Sequence, residues 1–226
     1  MTIRFSRAQS IEYDRACSQD LGLPSIVLMT HAAVECAALI RAMLSSRTTN
    51  IIALCGSGNN GGDGYAIVRT LQSWGFRARA IEVAPARIGS DARIMRDAAA
   101  ALGRVDPFES INALGRGDEP TILIDAIFGT GLTRAPVGDE LAAIEWINAQ
   151  GLRGSRIVAI DIPSGLDCDT GQPLGCATSA VRATQTLTMV CEKAGFASDS
   201  ARHYLGAVSI VPIGGAPVTQ EHQTVE

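Results

Sequence analysis

The chain has 226 residues, 46 % of them hydrophobic, and a formal net charge of −4, which supplies apolar material for the buried sheet of one α/β domain. It has no basic stripe, no apolar run of membrane-spanning length and no apolar signal core in MTIRFSRAQS; a nucleic-acid groove, a membrane surface and a secretory leader are thereby disfavoured. Cys17, Cys36, Cys55, Cys168, Cys176 and Cys191 lack CxxC spacing, and His31, His203 and His222 are scattered, so zinc and a disulfide framework are poor readings and a reducing cytoplasm is the expected setting.

In chain order, Ser6–Leu21 reads as a helix, and Pro24 opens a second that runs to about Ser46. The apolar strand Ile51–Cys55 enters a glycine-crowded loop, and a helix from Tyr65 to Trp74 follows with Ile67, Val68 and Leu71 on one face. Ala78–Val83 is a strand, Ser90–Leu102 a helix, Thr121–Ala126 a strand and Gly138–Gln150 a helix. Arg156–Ile160, Thr186–Cys191 and Ala207–Val211 are strands, and Gln220 onward reads as a frayed tail, flexible from about residue 218. Such alternation predicts a mostly parallel sheet with helices on both faces, in one domain over residues 1–226.

The segment GSGNNGGDG couples a strand end to a helix start, the arrangement that offers backbone N–H groups to a phosphate. Gly56, Gly58 and Gly61 satisfy G-x-G-x-x-G, and Glu82 lies at a plausible distance for a ribose contact. Asn59, Asn60 and Asp63 set the loop apart, because backbone amides alone serve an ordinary dinucleotide site. Asp63 either caps the helix beginning near Tyr65 or orients the loop, meets a cation or does chemistry. Lys193 is the sole lysine among nineteen basic residues, and lysine, unlike arginine, can exchange a proton when burial lowers its pKa. Asp125, Asp161 and Lys193 each end a predicted strand, so they converge with the glycine loops on the carboxyl edge of the sheet. Singly, Asp125 could cap a turn and Asp161 could hold the Pro163–Gly165 loop.

GSGNNGGDG, IDAIFGTGL and AIDIPSGLDCDTG, in that order, resemble the NAD(P)H-hydrate epimerase family, also called the YjeF N-terminal domain. The resemblance extends from SRAQSIEYDRA to LGAVSIVPIG. It implies a Rossmann-like three-layer α/β/α sandwich, a homodimer and interconversion of the R and S hydrates of NADH and NADPH (NADHX and NADPHX). It also implies one potassium ion per subunit and a functional pairing with a separate dehydratase, with no fused dehydratase domain expected here. The family's substrate contacts map to Asn59, Asn60, Gly61, Gly62 and Asp63, to Gly129, Thr130, Gly131, Leu132, Thr133, Arg134 and Ala135, and to Asp161. Its potassium ligands map to Asn60, Asp125 and Ser164, with carbonyls near Gly129–Leu132 expected to complete the shell. Epimerisation calls for a proton donor and acceptor near one ring carbon; Asp161 is the first choice and Lys193 its partner or charge tuner.

Three positions depart from the family pattern: Thr30-His31 replaces an acid and amide, Thr184 an acid, and Cys168 a small residue. Such changes would also suit a non-catalytic scaffold relative, which is the rival reading. A hydride-transferring dehydrogenase is favoured only by the glycine spacing and leaves Asn59, Asn60 and Asp63 unexplained.

Overall fold

The computed structural model describes residues 2–113 and 121–218; the expected tail lies almost wholly outside them. The elements are β1 (Arg4–Phe5), α1 (Arg7–Gln19), α2 (Ser25–Ala42), β2 (Asn50–Cys55), α3 (Asn59–Ser73), β3 (Ala78–Glu82), α4 (Asp91–Leu102), β4 (Arg104–Pro107), β5 (Thr121–Ala126), α5 (Gly138–Leu152), β6 (Arg156–Ile160), β7 (Gln185–Met189), β8 (Glu192–Lys193), α6 (Arg202–Leu205) and β9 (Ala207–Val211). Seven strands form a parallel sheet in the order β4-β3-β2-β5-β6-β7-β9, and β1 pairs with β8 in a two-stranded parallel ribbon.

Alternation along the strands builds the layers, since successive side chains leave opposite faces. Ile51, Ala53 and Cys55 of β2 join Ile122, Ile124 and Ala126 of β5 in a core shared with α2, α3 and α4. Ile52, Leu54 and Leu123 face the other way, onto Ala143, Ile144 and Ile147 of α5. The result is the expected three-layer α/β/α sandwich.

The order places a topological switch between β2 and β5, because the chain runs outward from β2 to β4 and then returns to β5 on β2's other side. Loops diverge above such a switch and leave a crevice for a ligand.

Several boundaries differ from the sequence reading. The second helix stops at Ala42, and α2 is 18 residues long and, by length and composition, apolar enough to cross a membrane, contrary to the expectation of no such run. It is a core helix: Leu28, Met29, Ala33, Cys36, Ala37 and Ile40 are buried in it. The third helix starts at Asn59 rather than Tyr65, so Asp63 lies inside it and caps nothing. Close packing explains a helix this rich in glycine. A Cβ on Gly61 would sit 1.9 Å from the Gly56 carbonyl oxygen, and one on Gly62 would sit 2.7 Å from Met29 Cε.

Thr186–Cys191 divides as well. β7 ends at Met189, and Lys193 belongs to β8 beside β1. Val190 makes the break with φ = 68°, a conformation costly for a β-branched residue.

Candidate active site

Above the β2/β5 switch lies a cleft of about 560 Å³, lined from α1, α2, the start of α3 and the loops after β3, β5, β6 and β7. Of the sequence-predicted site residues, Asn59, Asn60, Asp63, Asp161, Lys193 and the 129–134 segment are on its wall. Gly61, Gly62 and Ala135 are not; the two glycines serve helix packing. Glu82 does not reach the cleft either, because it pairs with Arg96 and accepts a bond from the Tyr65 hydroxyl.

Asn60, on the cleft wall, is linked to Ser164 through the Phe128 carbonyl, and Ser164 to Asp125 behind it. Phe128 O accepts from Asn60 Nδ2 at 2.8 Å and from Ser164 Oγ at 3.3 Å, and Ser164 Oγ lies 2.5 Å from Asp125 Oδ1. Asp125 is fully buried and also accepts from the N–H groups of Ser164 (2.8 Å) and Ile127 (3.4 Å). It therefore fixes the turn that follows β5, as one reading of the sequence allowed. Burial pushes its carboxyl up to about 6, against the pull of the Ser164 and Ile127 bonds. The carbonyls of Thr130 and Leu132, expected near an ion, accept instead from Arg7 at 2.8 and 3.0 Å.

Asp161 follows β6 directly with φ = 67°, tolerable for Asp and strained for most residues. Its Oδ1 accepts from Met189 N (3.2 Å) and forms an ion pair with Lys193 Nζ at 2.7 Å. Lys193 Nζ also donates to the carbonyls of Met189 (2.9 Å) and Cys191 (3.3 Å). The left-handed turn at Val190 sits between those two carbonyls. Both positive-φ non-glycine residues among the described ones thus adjoin one ion pair, and strain held by surrounding contacts is a mark of functional sites.

Two further acids complete the cleft. Asp63 is half-buried, and desolvation, then the charges of Asp161 and Asp14, hold it well above the ordinary carboxylate range. Asp14 of α1 is pushed up to about 6, chiefly by desolvation and then by Asp161, with Lys193 pulling the other way. Asp14 is exposed by surface area, so solvent screening tempers its shift more than that of Asp63.

Sequence reasoning missed Asp14, Arg7 and Arg87. Arg7 ties the 130–132 carbonyls to Asp167 (2.6 Å) and Asp169 (3.2 Å), fastening α1 to the loop after β5. Arg87, after β3, and Arg134, after β5, line the cleft without an acidic partner among the described residues.

Residues 25–195 match the family model described as YjeF-related protein N-terminus. The chain belongs to that family. It is 31 % identical over 220 residues to the NAD(P)H-hydrate epimerase of Oenococcus oeni, covering 94 % of this chain and 97 % of that one. To the epimerase of Lentilactobacillus buchneri it is 32 % identical, covering 95 % of each. The bifunctional NAD(P)H-hydrate repair enzyme Nnr of Salinibacter ruber is 34 % identical over 90 % of this chain, which spans only 39 % of that longer protein. The crystal structure of yeast ynu0 shares the fold, with a TM-score of 0.80 at 18 % identity over 97 % of this chain and 91 % of that one.

The departures from the family pattern lie off the cleft. Thr30 Oγ1 donates to Ile26 O, Thr184 Oγ1 to Ile157 O, and Cys168 is buried among Ile162, Leu166 and Phe196. Each has a local structural role, and none of them lines the cleft.

Proposed function

We propose that the chain is an NAD(P)H-hydrate epimerase, an isomerase that interconverts the R and S forms of hydrated NADH and NADPH. Near-full-length similarity to single-function epimerases supports this, and one observation carries it at the site: the ion pair of half-buried Asp161 with buried Lys193 opens into the same cleft as Asn59, Asn60 and Asp63. In the hydrate, a hydroxyl sits on a saturated carbon beside the ring nitrogen. Its loss gives an iminium-like ring, and water returning from either face scrambles the centre. A carboxylate beside that carbon stabilises the cation, and no hydride carrier is needed.

Strand order gives the substrate a direction. The N-terminus of α3 and Arg87, which has no acidic partner among the described residues, belong to the β2–β3 side and suit the pyrophosphate, whereas Asp161, after β6, and Lys193 suit the ring. The test uses mixed R and S hydrates with a dehydratase that consumes only S. Complete consumption is expected with the protein and a halt midway without it; a halt in both favours the scaffold reading.

The same proposal includes a potassium ion on Asn60, Asp125 and Ser164, with the Phe128 carbonyl. The donor set fits: Asp125 is a buried carboxylate answered only by O–H and N–H groups, and neutral oxygens surround it, which suits a large monovalent cation. Once bound, the ion would supply the missing positive charge and lock the loops after β2, β5 and β6 together. At constant ionic strength, replacing choline chloride by KCl is expected to raise the melting temperature, as for any ligand of the folded state, and Asp125→Asn should abolish the rise. Equal melting in both salts refutes the ion site. A homodimer, as the family resemblance implies, and a cytoplasmic setting complete the proposal.

A further inference from the structure

An epimerisation of this kind must move a proton, and the Asp161–Lys193 pair is poorly placed to do so. Lys193 Nζ has three N–H donors and three acceptors in Asp161 Oδ1, Met189 O and Cys191 O. The same Asp161 oxygen already takes the Met189 N–H and the ammonium. A general acid needs a proton to give and reach to the reacting group; the Lys193 protons are all engaged, and Asp161, although its Oδ2 is free among the described residues, faces that ammonium in an ion pair.

Asp63 is the better-placed group. It follows Asn59 by four residues and Asn60 by three in α3, so the three share a helix face, and all three line the cleft. Among the described residues Asp63 has no hydrogen bond and no ion pair, whereas Asp125, Asp161 and Asp167 all have partners. Its charged neighbours are the carboxyl groups of Asp161 and Asp14, and the titratable group set against it from α2 is the buried Cys36 thiol. Lys193 is committed to Asp161. Burial and like charge both disfavour the Asp63 anion and favour its protonated form.

We propose that Asp63 is the proton-transferring residue of the epimerisation, and that the Asp161–Lys193 pair supplies fixed charge beside the cationic ring. The assignment rests on the epimerase reading above. Asp63 gives its proton to the ring hydroxyl; the C–O bond breaks, its electron pair leaves with water, and the ring nitrogen lone pair forms the C=N bond. Water then adds to either face of that carbon, the C–O bond re-forms, and the surplus proton returns to the Asp63 carboxylate. One water leaves and one enters, and nothing is oxidised or reduced.

Asp63→Asn keeps the size of the side chain and removes the transferable proton. In the coupled hydrate assay it is expected to lose at least about 100-fold in kcat, while KM for NADPHX stays within about threefold. Its melting temperature should equal or exceed that of the wild type. The sign follows from linkage: a carboxyl whose folded pKa is raised contributes stability at acid pH and loses it as pH climbs through that raised pKa. The variant's advantage should therefore widen from acid to neutral pH. A smaller loss of kcat overturns the assignment. A large loss accompanied by raised KM or lowered melting also overturns it, because Asp63 would then be holding the site together. If wild-type protein leaves the R hydrate unconsumed, the epimerase reading fails first and takes this proposal with it; a failure confined to Asp63→Asn leaves that reading standing.

Discussion

Asp161→Asn is expected to keep the fold and lower epimerisation by about 10²–10³-fold. Asn is the informative substitution because it, like Asp, tolerates the positive φ of 67° at this position. Its carbonyl oxygen can still accept from Met189 N and Lys193 Nζ, which now lie 3.2 and 2.7 Å from Asp161 Oδ1. The negative charge is lost. The cleft loses a negative charge where a cationic ring must form, and the Lys193 side chain, only 4 % exposed, loses its carboxylate partner. The weakened pair should cost about 1.5–3 kcal/mol of stability, which a domain with about 5–15 kcal/mol in hand survives. Turnover by the coupled hydrate assay and a denaturant midpoint separate the two effects. Turnover within severalfold of wild type would remove Asp161 from the chemistry.

Much of this site was readable before folding because its chemistry is written at strand ends. A short apolar run closed by an acid or by glycines has few roles other than the rim of a parallel sheet, and Asn60, Asp125, Asp161 and Ser164 came together as that pattern requires. The start of α3 was not readable. NNGGDG has low helix propensity, and it is helical because Gly61 and Gly62 let the backbone approach Gly56 and Met29 more closely than any side chain allows. β4 was missed for a related reason: Arg104–Pro107 is a short edge strand carrying a proline, a type with little apolar alternation.

Arg7 and Asp14 left no signal in sequence because their partners are remote. Arg7 contacts carbonyls 123 and 125 residues away, and Asp14 joins the cleft only because α1 packs over it. Lys193 was identified as chemically unusual, but the apolar run before it concealed the break at Val190. A β-branched residue at φ = 68° is not a conformation that propensity would suggest; tertiary contacts impose it.

That break gives the second large effect. Lys193→Met is expected to destabilise the protein by about 3–5 kcal/mol and to abolish turnover. The side chains of Lys193 and Asp161 are 4 % and 14 % exposed, so removing the ammonium leaves a carboxylate and two carbonyls that water reaches poorly. The carbonyls of Met189 and Cys191 flank Val190, and losing their shared donor releases the contact that opposes its strain. Lys193→Arg separates charge from proton transfer. The guanidinium keeps the charge and donors but does not titrate. Since Nζ spends all three protons on protein oxygens, this variant should retain measurable turnover at an unchanged pH profile, once its stability has been matched by working well below its melting temperature. A stably folded Lys193→Arg with no turnover would instead make Lys193 a proton carrier. A double-mutant cycle with Asp161→Asn supplies the independent check: a coupling of about 0.5–3 kcal/mol in stability is expected for two groups in contact, and simple additivity would mean that the pair does not hold the site.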